Sequence, residues 1–411
     1  VSELRSPAPP DVLVVGGGVI GLSVAWQAAV TGRRVAVVDP APGRGATWAA
    51  AGMLAPVGEA NFGEDGLSLL LVRAAGAWPG FAADLETASG LAVGYRPDGT
   101  LLVAVDPSDR SAVDDLLAYR RGLGLEASPL TPAACRAAEP LLSPAIGGGA
   151  DLVGDHQVDN RRLVDALLAA LERAGVELVR TRVTGLRQSN QRVEGVDLDD
   201  GTRLPAPTVV VAAGCWSGQI AGWAGATCPP VRPVKGLTLR LGAPSRGARL
   251  ARAVRGLVHG RSCYLVPRDD GSLVVGATVE ERGFDLVVEA GSVGDLLDDA
   301  RRLIPSIEGY ELVETSTGLR PGSPDNGPMV GVCGLAGLVV ATGHYRNGVL
   351  LAPLTALEVC RILDAGAASH ADDEASPFAP FRPDRFLRHG GATPGAPDRI
   401  TGWVGRPSVP T

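Results

Sequence analysis

Lysine is nearly absent from this chain. Lys235 is the only one, and every other cationic side chain is arginine or one of five histidines. The scarcity reflects a GC-rich genome rather than a function. Positive charge is short overall: the 411 residues carry a net charge of −7, which argues against nucleic acid as a main partner. Anionic ligands stay open, because local features bind them. Paired cysteines are missing too. The six cysteines, at 135, 215, 228, 263, 333 and 360, form no CxxC, and no Cys/His spacing matches a zinc site. They read as buried thiols in a reducing compartment, with no metal. No apolar run reaches the roughly 20 residues of a membrane span, and no signal-like n-region and h-region precede the first element. The expectation is a soluble cytoplasmic protein with no stable membrane insertion.

What is present is globular: 45% apolar and 20% charged residues, enough for two intimate domains and a large core. Asp11-Val12-Leu13-Val14-Val15 is a short apolar run of the kind buried on both faces of a sheet. It enters Gly16-Gly17-Gly18-Val19-Ile20-Gly21 directly, a helix follows from Leu22 to Thr31, and Arg34 to Val38 is a second buried strand ending at Asp39. In such a unit Gly16 permits the tight turn, Gly18 lets backbone approach a pyrophosphate, and Gly21 lets the helix pack closely on the strand. The helix N-terminus offers free N–H groups and the positive end of its dipole. Asp39 lies about 20 residues on, where a carboxylate accepts from ribose hydroxyls. A dinucleotide site follows; the alternative is a merely tight turn. The glycines do not choose between NAD and FAD. The run Gly43 to Pro56, with Ala49-Ala50-Ala51-Gly52-Met53-Leu54, is too apolar for a solvated loop and suits backbone lying against a flat, bulky ligand.

Further along, helical patterning over 64–90 is broken near Trp78-Pro79-Gly80. Tyr95 to Thr100 reads as a turn between two strands. Asp159-Asn160 caps an amphipathic helix. Thr208 to Gly214 is a third buried strand of the nucleotide sheet, followed by a helix start at Cys215-Trp216-Ser217. The block from Val234 to Arg320 is rich in alternating strands. The fold class is therefore α/β. A Rossmann-like nucleotide domain is interleaved with an α+β substrate domain carrying an antiparallel sheet. The expected boundaries are 11–90, 145–225 and 325–364 for the first domain and 91–144 and 226–324 for the second. Residues 365–411 form a partly mobile extension in which Phe378 to Phe386 packs on the body.

The glycine turn, Ala49-Ala50-Ala51-Gly52-Met53-Leu54-Ala55-Pro56, Tyr264-Leu265-Val266-Pro267-Arg268, Gly276-Ala277-Thr278, Thr317-Gly318-Leu319-Arg320-Pro321 and Gly343-His344-Tyr345-Arg346-Asn347-Gly348 occur in one order. Together they resemble the FAD-dependent amine oxidoreductases of the D-amino acid oxidase superfamily. Within it, the chain is most similar to bacterial glycine oxidases of thiamin thiazole biosynthesis. The resemblance implies noncovalent FAD in a glutathione-reductase type domain. It also implies oxidation of a small amine-bearing acid (glycine, sarcosine or a small D-amino acid), hydride passing to flavin N5. The product would be an imine, which hydrolyses to glyoxylate and ammonia or enters thiazole assembly. Oxygen would become hydrogen peroxide, and the protein would be a homo-oligomer, often a tetramer in this group.

Carried over, Arg320 would clamp the substrate carboxylate, Tyr264 would donate its phenol to it, and Arg346 would support both ligands. Gly52 and Val279 would border the substrate. FAD would rest on Gly16, Gly18, Val19, Ile20, Gly21 and Asp39, on Thr47, Ala50, Ala51, Gly52 and Met53, and on Val183 through its backbone. Ala213, Gly214, Trp216, Arg320, His344, Arg346, Asn347, Gly348 and Val349 would complete its site. Asp39 stands where glutamate is common, and Val279 where a methionine lines the pocket. No cysteine lies near Arg320-Pro321-Gly322-Ser323, which argues against a covalent flavin.

A carboxylate ligand wants a planar, bidentate donor, which arginine supplies and lysine does not. The ordinary alternatives are a surface salt bridge for Arg320, a packed core aromatic for Tyr264 and a carbonyl cap for Arg346. His344 reads as a hydrogen-bonded loop histidine rather than a base, and His156, His259, His370 and His389 show no constellation. Three other functions stay open. They are a D-amino acid or sarcosine enzyme outside thiamin biosynthesis, a dehydrogenase passing electrons to a quinone, and a nonenzymatic flavoprotein or NAD-binding module.

Overall fold

A computed structural model describes residues 8–223, 231–244, 249–366 and 374–386. Cys228, His370, His389 and the tail beyond Phe386 lie outside them. The short valine-rich runs become the central strands Val12–Val15, Val35–Val38 and Val209–Val211, each buried along its whole length. They belong to a six-stranded sheet in the order Met329–Val332, Leu338–Thr342, Val209–Val211, Val12–Val15, Val35–Val38, Glu177–Val179. All neighbours are parallel except the first pair. The helices Val19–Val30, Asp65–Ser89, Asn160–Arg173 and Gly348–Asp364 pack on one face of the sheet through one apolar cluster. Phe378 and Phe381 join that cluster, as expected for the segment ending at Phe386. The strands Val183–Ser189, Arg192–Leu198 and Arg203–Pro205 form an antiparallel meander whose apolar side chains pack on the other face.

The second sheet has eight strands. Their order is Glu311–Gly322, Arg232–Gly242, Leu273–Gly276, Arg261–Pro267, Ala253–Val258, Thr100–Ala104, Gly148–Leu152, Ser128–Leu130. Its register decides the site. Thr238 lies opposite both Ser316 and Gly276, Gly276 opposite Tyr264, and Tyr264 opposite Arg255. These residues form one row across the sheet. Because successive side chains alternate, Arg320, four residues beyond Ser316, stands on the same face. Glycine keeps that face open: a Cβ on Gly276 would lie 2.4 Å from the Tyr264 hydroxyl, and one on Gly236 would lie 2.3 Å from the Arg320 guanidinium.

Three expectations change. The helix Asp65–Ser89 runs unbroken through Pro79. A mid-helix proline costs about 3 kcal/mol, but Trp78, Phe81, Ala82 and Leu85 are all buried here, and Trp78 Nε1 donates to Leu350 O at 2.9 Å. Tertiary packing outweighs the break. This helix is long and apolar enough by composition to cross a membrane, yet its inner face forms part of the core. Gly148–Leu152 pairs with Thr100–Ala104 in the second sheet, although it falls inside the 145–225 stretch expected for the nucleotide domain. Finally, the turn at Tyr95 to Thr100 has a strand only on its far side; before it Arg96 makes an isolated bridge to Gln157 and no strand forms.

Candidate active site

Where the two sheets face each other lies a cavity of about 710 Å³. One end is built from the first strand and its glycine turn. Gly17 N–H and Ala41 N–H both donate to the Asp39 carboxylate at 2.7 Å. That fixes the acid at the end of the second strand, where it lines the cavity. Two helices bring their N-termini to this space. Val19–Val30 starts at Gly18 and Gly348–Asp364 at Asn347; neither N-cap residue caps its helix with its own side chain, and neither first turn holds an acidic residue. Their positive ends therefore face the cavity without an acid of their own to neutralise them.

The small-residue run is held rigidly by side chains from elsewhere. Asn160 Nδ2 donates to Thr47 O at 2.7 Å, Thr238 Oγ1 to Ala49 O at 2.8 Å, and Arg268 Nη2 to Ala51 O at 2.7 Å. Arg240 Nη2 adds a longer bond to Trp48 O at 3.3 Å. The carbonyls of an apolar loop thus find partners without water, as buried backbone must. Thr47 Oγ1 in turn accepts from Val19 N–H at 3.0 Å.

At the other end the second sheet presents Tyr264 and Arg320. Arg320 Nη1 donates to Thr278 O at 3.1 Å and Lys235 O at 3.3 Å. Among the described residues no carboxylate contacts this guanidinium, so its charge is unmatched. Burial raises the Tyr264 phenol pKa, with Arg320 and Arg255 acting against it, so the phenol is a neutral donor. Arg346 differs. Its Nη2 lies 2.6 Å from Glu59 Oε2, and Arg255 Nη1 lies 2.7 Å from Glu59 Oε1. Neither Glu59 Oε2 nor Arg255 Nη1 is aligned for a hydrogen bond, so these are charge contacts first. Burial pushes the Glu59 carboxyl up, but Arg255 and Arg346 outweigh it and hold the pKa at about 2. Sequence reasoning missed Glu59 and Arg255. Their only local signal is a charge interrupting an apolar stretch.

His344 is buried, with Nε2 at 3.0 Å from Thr355 Oγ1. Burial alone drops its pKa to about 3. Unfolded, the ring takes up a proton near pH 6.5; folded, it stays neutral to about pH 3. Its contribution to stability is present above pH 6.5 and is lost as pH falls toward 3. Replacing His344 by glutamine should therefore flatten the stability profile between those values by about 1.4 kcal/mol per pH unit. Denaturant melts at stepped pH check this, and an unaltered slope would show that the imidazole is protonated in the folded chain. Cys215 also lines the cavity. Its Sγ donates to Leu319 O at 3.4 Å, and burial pushes the thiol up to about 12, so it is no nucleophile.

Two observations test the space for a flavin dinucleotide. A Cβ on Gly18 would meet no protein atom closer than Thr47 Oγ1 at 3.4 Å, so the turn keeps an open cradle beside bare backbone. Arg346 Nε is buried with no acceptor, a donor waiting for one. Both fit a large ligand with phosphates and ring carbonyls. Residues 11–362 match the family described as FAD dependent oxidoreductase, DAO.

The chain belongs to that family. It is an FAD-dependent oxidoreductase, and FAD is its cofactor. Its α/β fold is that of the family: the crystal structure of glycine oxidase from Geobacillus kaustophilus superposes with a TM-score of 0.83. That protein is 33% identical, over 92% of this chain and 98% of that one. The hydrogen cyanide synthase subunit HcnC of Pseudomonas aeruginosa is 31% identical over 92% of this chain and 96% of its own length. The bifunctional protein ThiO/ThiG of Trichormus variabilis is 33% identical over 93% of this chain. The chain spans only 56% of that longer relative.

Of the residues expected from the sequence, nearly all line the cavity. Gly16, Gly18, Val19, Ile20, Asp39, Thr47, Ala50, Ala51, Gly52 and Met53 do so from the nucleotide side, with Val183, Ala213, Gly214 and Trp216. Tyr264, Arg320, His344, Arg346, Asn347, Gly348 and Val349 line the remainder. Gly21 sits behind it, packed on the Gly16 carbonyl. Val279 does not line the cavity; it is 43% exposed.

Proposed function

We propose that this chain oxidises glycine and similarly small amino acids, sarcosine and small D-amino acids among them, with oxygen as acceptor. The observation that carries the reading is Arg320: a cationic fork on the cavity wall with carbonyl partners only, beside the neutral Tyr264 donor. A substrate carboxylate supplies the missing counter-charge, and arginine recognises it in two parallel hydrogen bonds. Tyr264 adds a third donor. When bound, the flavin supplies the two-electron oxidation, and the protein supplies orientation. Holding the α-carbon in one pose is the source of rate here.

Among the described residues, no side chain beside Tyr264 and Arg320 is placed as a base. His344 is tied to Thr355, and Glu59 is tied between two arginines. The amine therefore reacts in its unprotonated form. Asp39 would hold a ribose, the helix N-terminus at Val19 and Ile20 with Thr47 the phosphates, Val183 the adenine, and the Asn347–Val349 helix start with Arg346 the flavin ring. The imine product hydrolyses to glyoxylate and ammonia, or is handed on in thiazole and thiamin biosynthesis. The likeness to a glycine oxidase and to ThiO/ThiG supports this reading. We place the FAD domain at 11–90, 153–225 and 325–364, and the substrate domain on the eight-stranded sheet. A homo-oligomer is part of the same proposal.

A substrate panel on the flavin-loaded protein in air, with peroxide detection, tests it. Glycine, sarcosine and D-alanine are expected to yield peroxide, with L-amino acids of large side chain inactive. Rapid dye reduction without peroxide would move the reading to a dehydrogenase. No reduction of the flavin by any of the three would overturn it.

A further inference from the structure

Besides Arg44 and Arg182, the guanidiniums of Arg320 and Arg346 line the cavity, and of these last two only Arg346 is matched by an acid. We propose that Glu59 makes this a monocarboxylate site: it neutralises and anchors Arg346, so that Arg320 alone receives an anion. The inference rests on the reading of Arg320 as carboxylate receptor and adds a specificity-determining residue to it.

Glu59 is not a mobile counter-ion. The backbone around it is pinned on both sides by buried charges. Val57 N–H and Gly58 N–H donate to the Asp155 carboxylate, each at 2.8 Å. Arg120 Nη2 donates to Gly58 O at 2.8 Å and its Nε to Ala60 O at 3.3 Å. Glu59 N–H closes the turn on Ala55 O at 3.0 Å. Asp155 is fully buried and Arg120 likewise, so this scaffold cannot drift without leaving charges unpaired. It sets the carboxylate between Arg255 behind and Arg346 at the cavity wall.

The consequence is a matter of charge. A ligand carboxylate that approached Arg346 would meet the Glu59 carboxylate already in contact with it. Like charges at that range disfavour each other strongly in a site shielded from water. A ligand with one carboxylate avoids the clash by using Arg320. A ligand with two must place its second charge near Glu59 or in solvent. Removing the Glu59 charge while keeping its shape turns Arg346 and Arg255 into a second anion receptor.

Acetate, malonate and succinate lack an amine and do not react, so they report binding alone. They are titrated into the flavin-loaded protein while the flavin absorbance is followed. In the native chain acetate is expected to perturb the spectrum and both dicarboxylates to bind at least about tenfold more weakly. In Glu59→Gln the better dicarboxylate should gain about ten- to a hundredfold relative to acetate, the range of a charge-assisted hydrogen bond. Glu59→Asp should keep the native ratio, and Glu59→Gln combined with Arg346→Gln should abolish the gain. A native chain that binds malonate or succinate as tightly as acetate overturns the proposal, whether or not the variants fold. So does an unchanged ratio in Glu59→Gln. A native chain indifferent to all three anions instead removes the carboxylate site on Arg320, and this inference with it.

Discussion

Replacing Arg320 by methionine should lower kcat/KM for glycine by about two orders of magnitude or more, most of it through KM. A hydrogen bond to a charged group is worth about 1.5–3 kcal/mol, and a forked arginine makes two such bonds to one carboxylate. Tyr264 alone remains, a neutral donor that orients weakly. Arg320→Lys should recover little, because an ammonium is a point charge on a flexible stem and cannot form the fork. The chain's architecture should survive either change. Among the described residues Arg320 hydrogen-bonds only the Thr278 and Lys235 carbonyls, and its charge has no acid to leave behind. Steady-state kinetics beside flavin content and a melting curve decide the matter: full flavin loading with unchanged kinetics would remove Arg320 from the site.

Two glycines of the first turn should fail in opposite ways. For Gly18→Val, the backbone at φ −75° and ψ 178° is open to any residue. Its Cβ meets nothing nearer than 3.4 Å. The variant should fold and yet lose FAD affinity by at least about a hundredfold, since the side chain fills the cradle a pyrophosphate needs. For Gly21→Val, the Cβ alone would lie 1.9 Å from Gly16 O and 3.2 Å from Val14 Cγ1. Overpacking of that kind costs about 1–3 kcal/mol and often more where backbone must move, so this variant should be unstable before its cofactor is considered. Flavin content after purification and thermal melting of the apoprotein separate the two. A Gly18→Val protein that retains yellow colour would sink the cradle.

Much of this site was legible because its signals are local. A buried strand, a turn of three glycines, a helix and an acid at the next strand's end are written within a few dozen residues. So is the change of character at Gly343 to Gly348, which the structure shows as a strand end and the start of Gly348–Asp364. Arg320 could be singled out as an arginine ending an alternating strand before Pro321-Gly322, whereas Tyr264 is named only through the family resemblance. Val279 could not be placed the same way: it follows the strand, where alternation stops constraining direction, and it is exposed rather than lining the cavity.

Other features were hidden because their partners are distant. Pro79 reads as a break, and only the burial of Trp78 against Leu350 explains a helix that continues. Gly148–Leu152 reads as part of the nucleotide domain until its pairing with Thr100–Ala104 is seen. Glu59 and Arg255 carry no spacing that joins them.

The sequence by itself thus determined the nucleotide turn, the helix starts that follow a strand end and which side chains had the right chemistry for an anion. These depend on backbone periodicity and on residues near one another in the chain. Only the tertiary structure decided which of those side chains carry a usable charge. It matched Arg346 with Glu59, left Arg320 unmatched, and buried His344 in its neutral form. A side chain's charge is set by its neighbours and its exposure, and folding brings those neighbours from far along the chain.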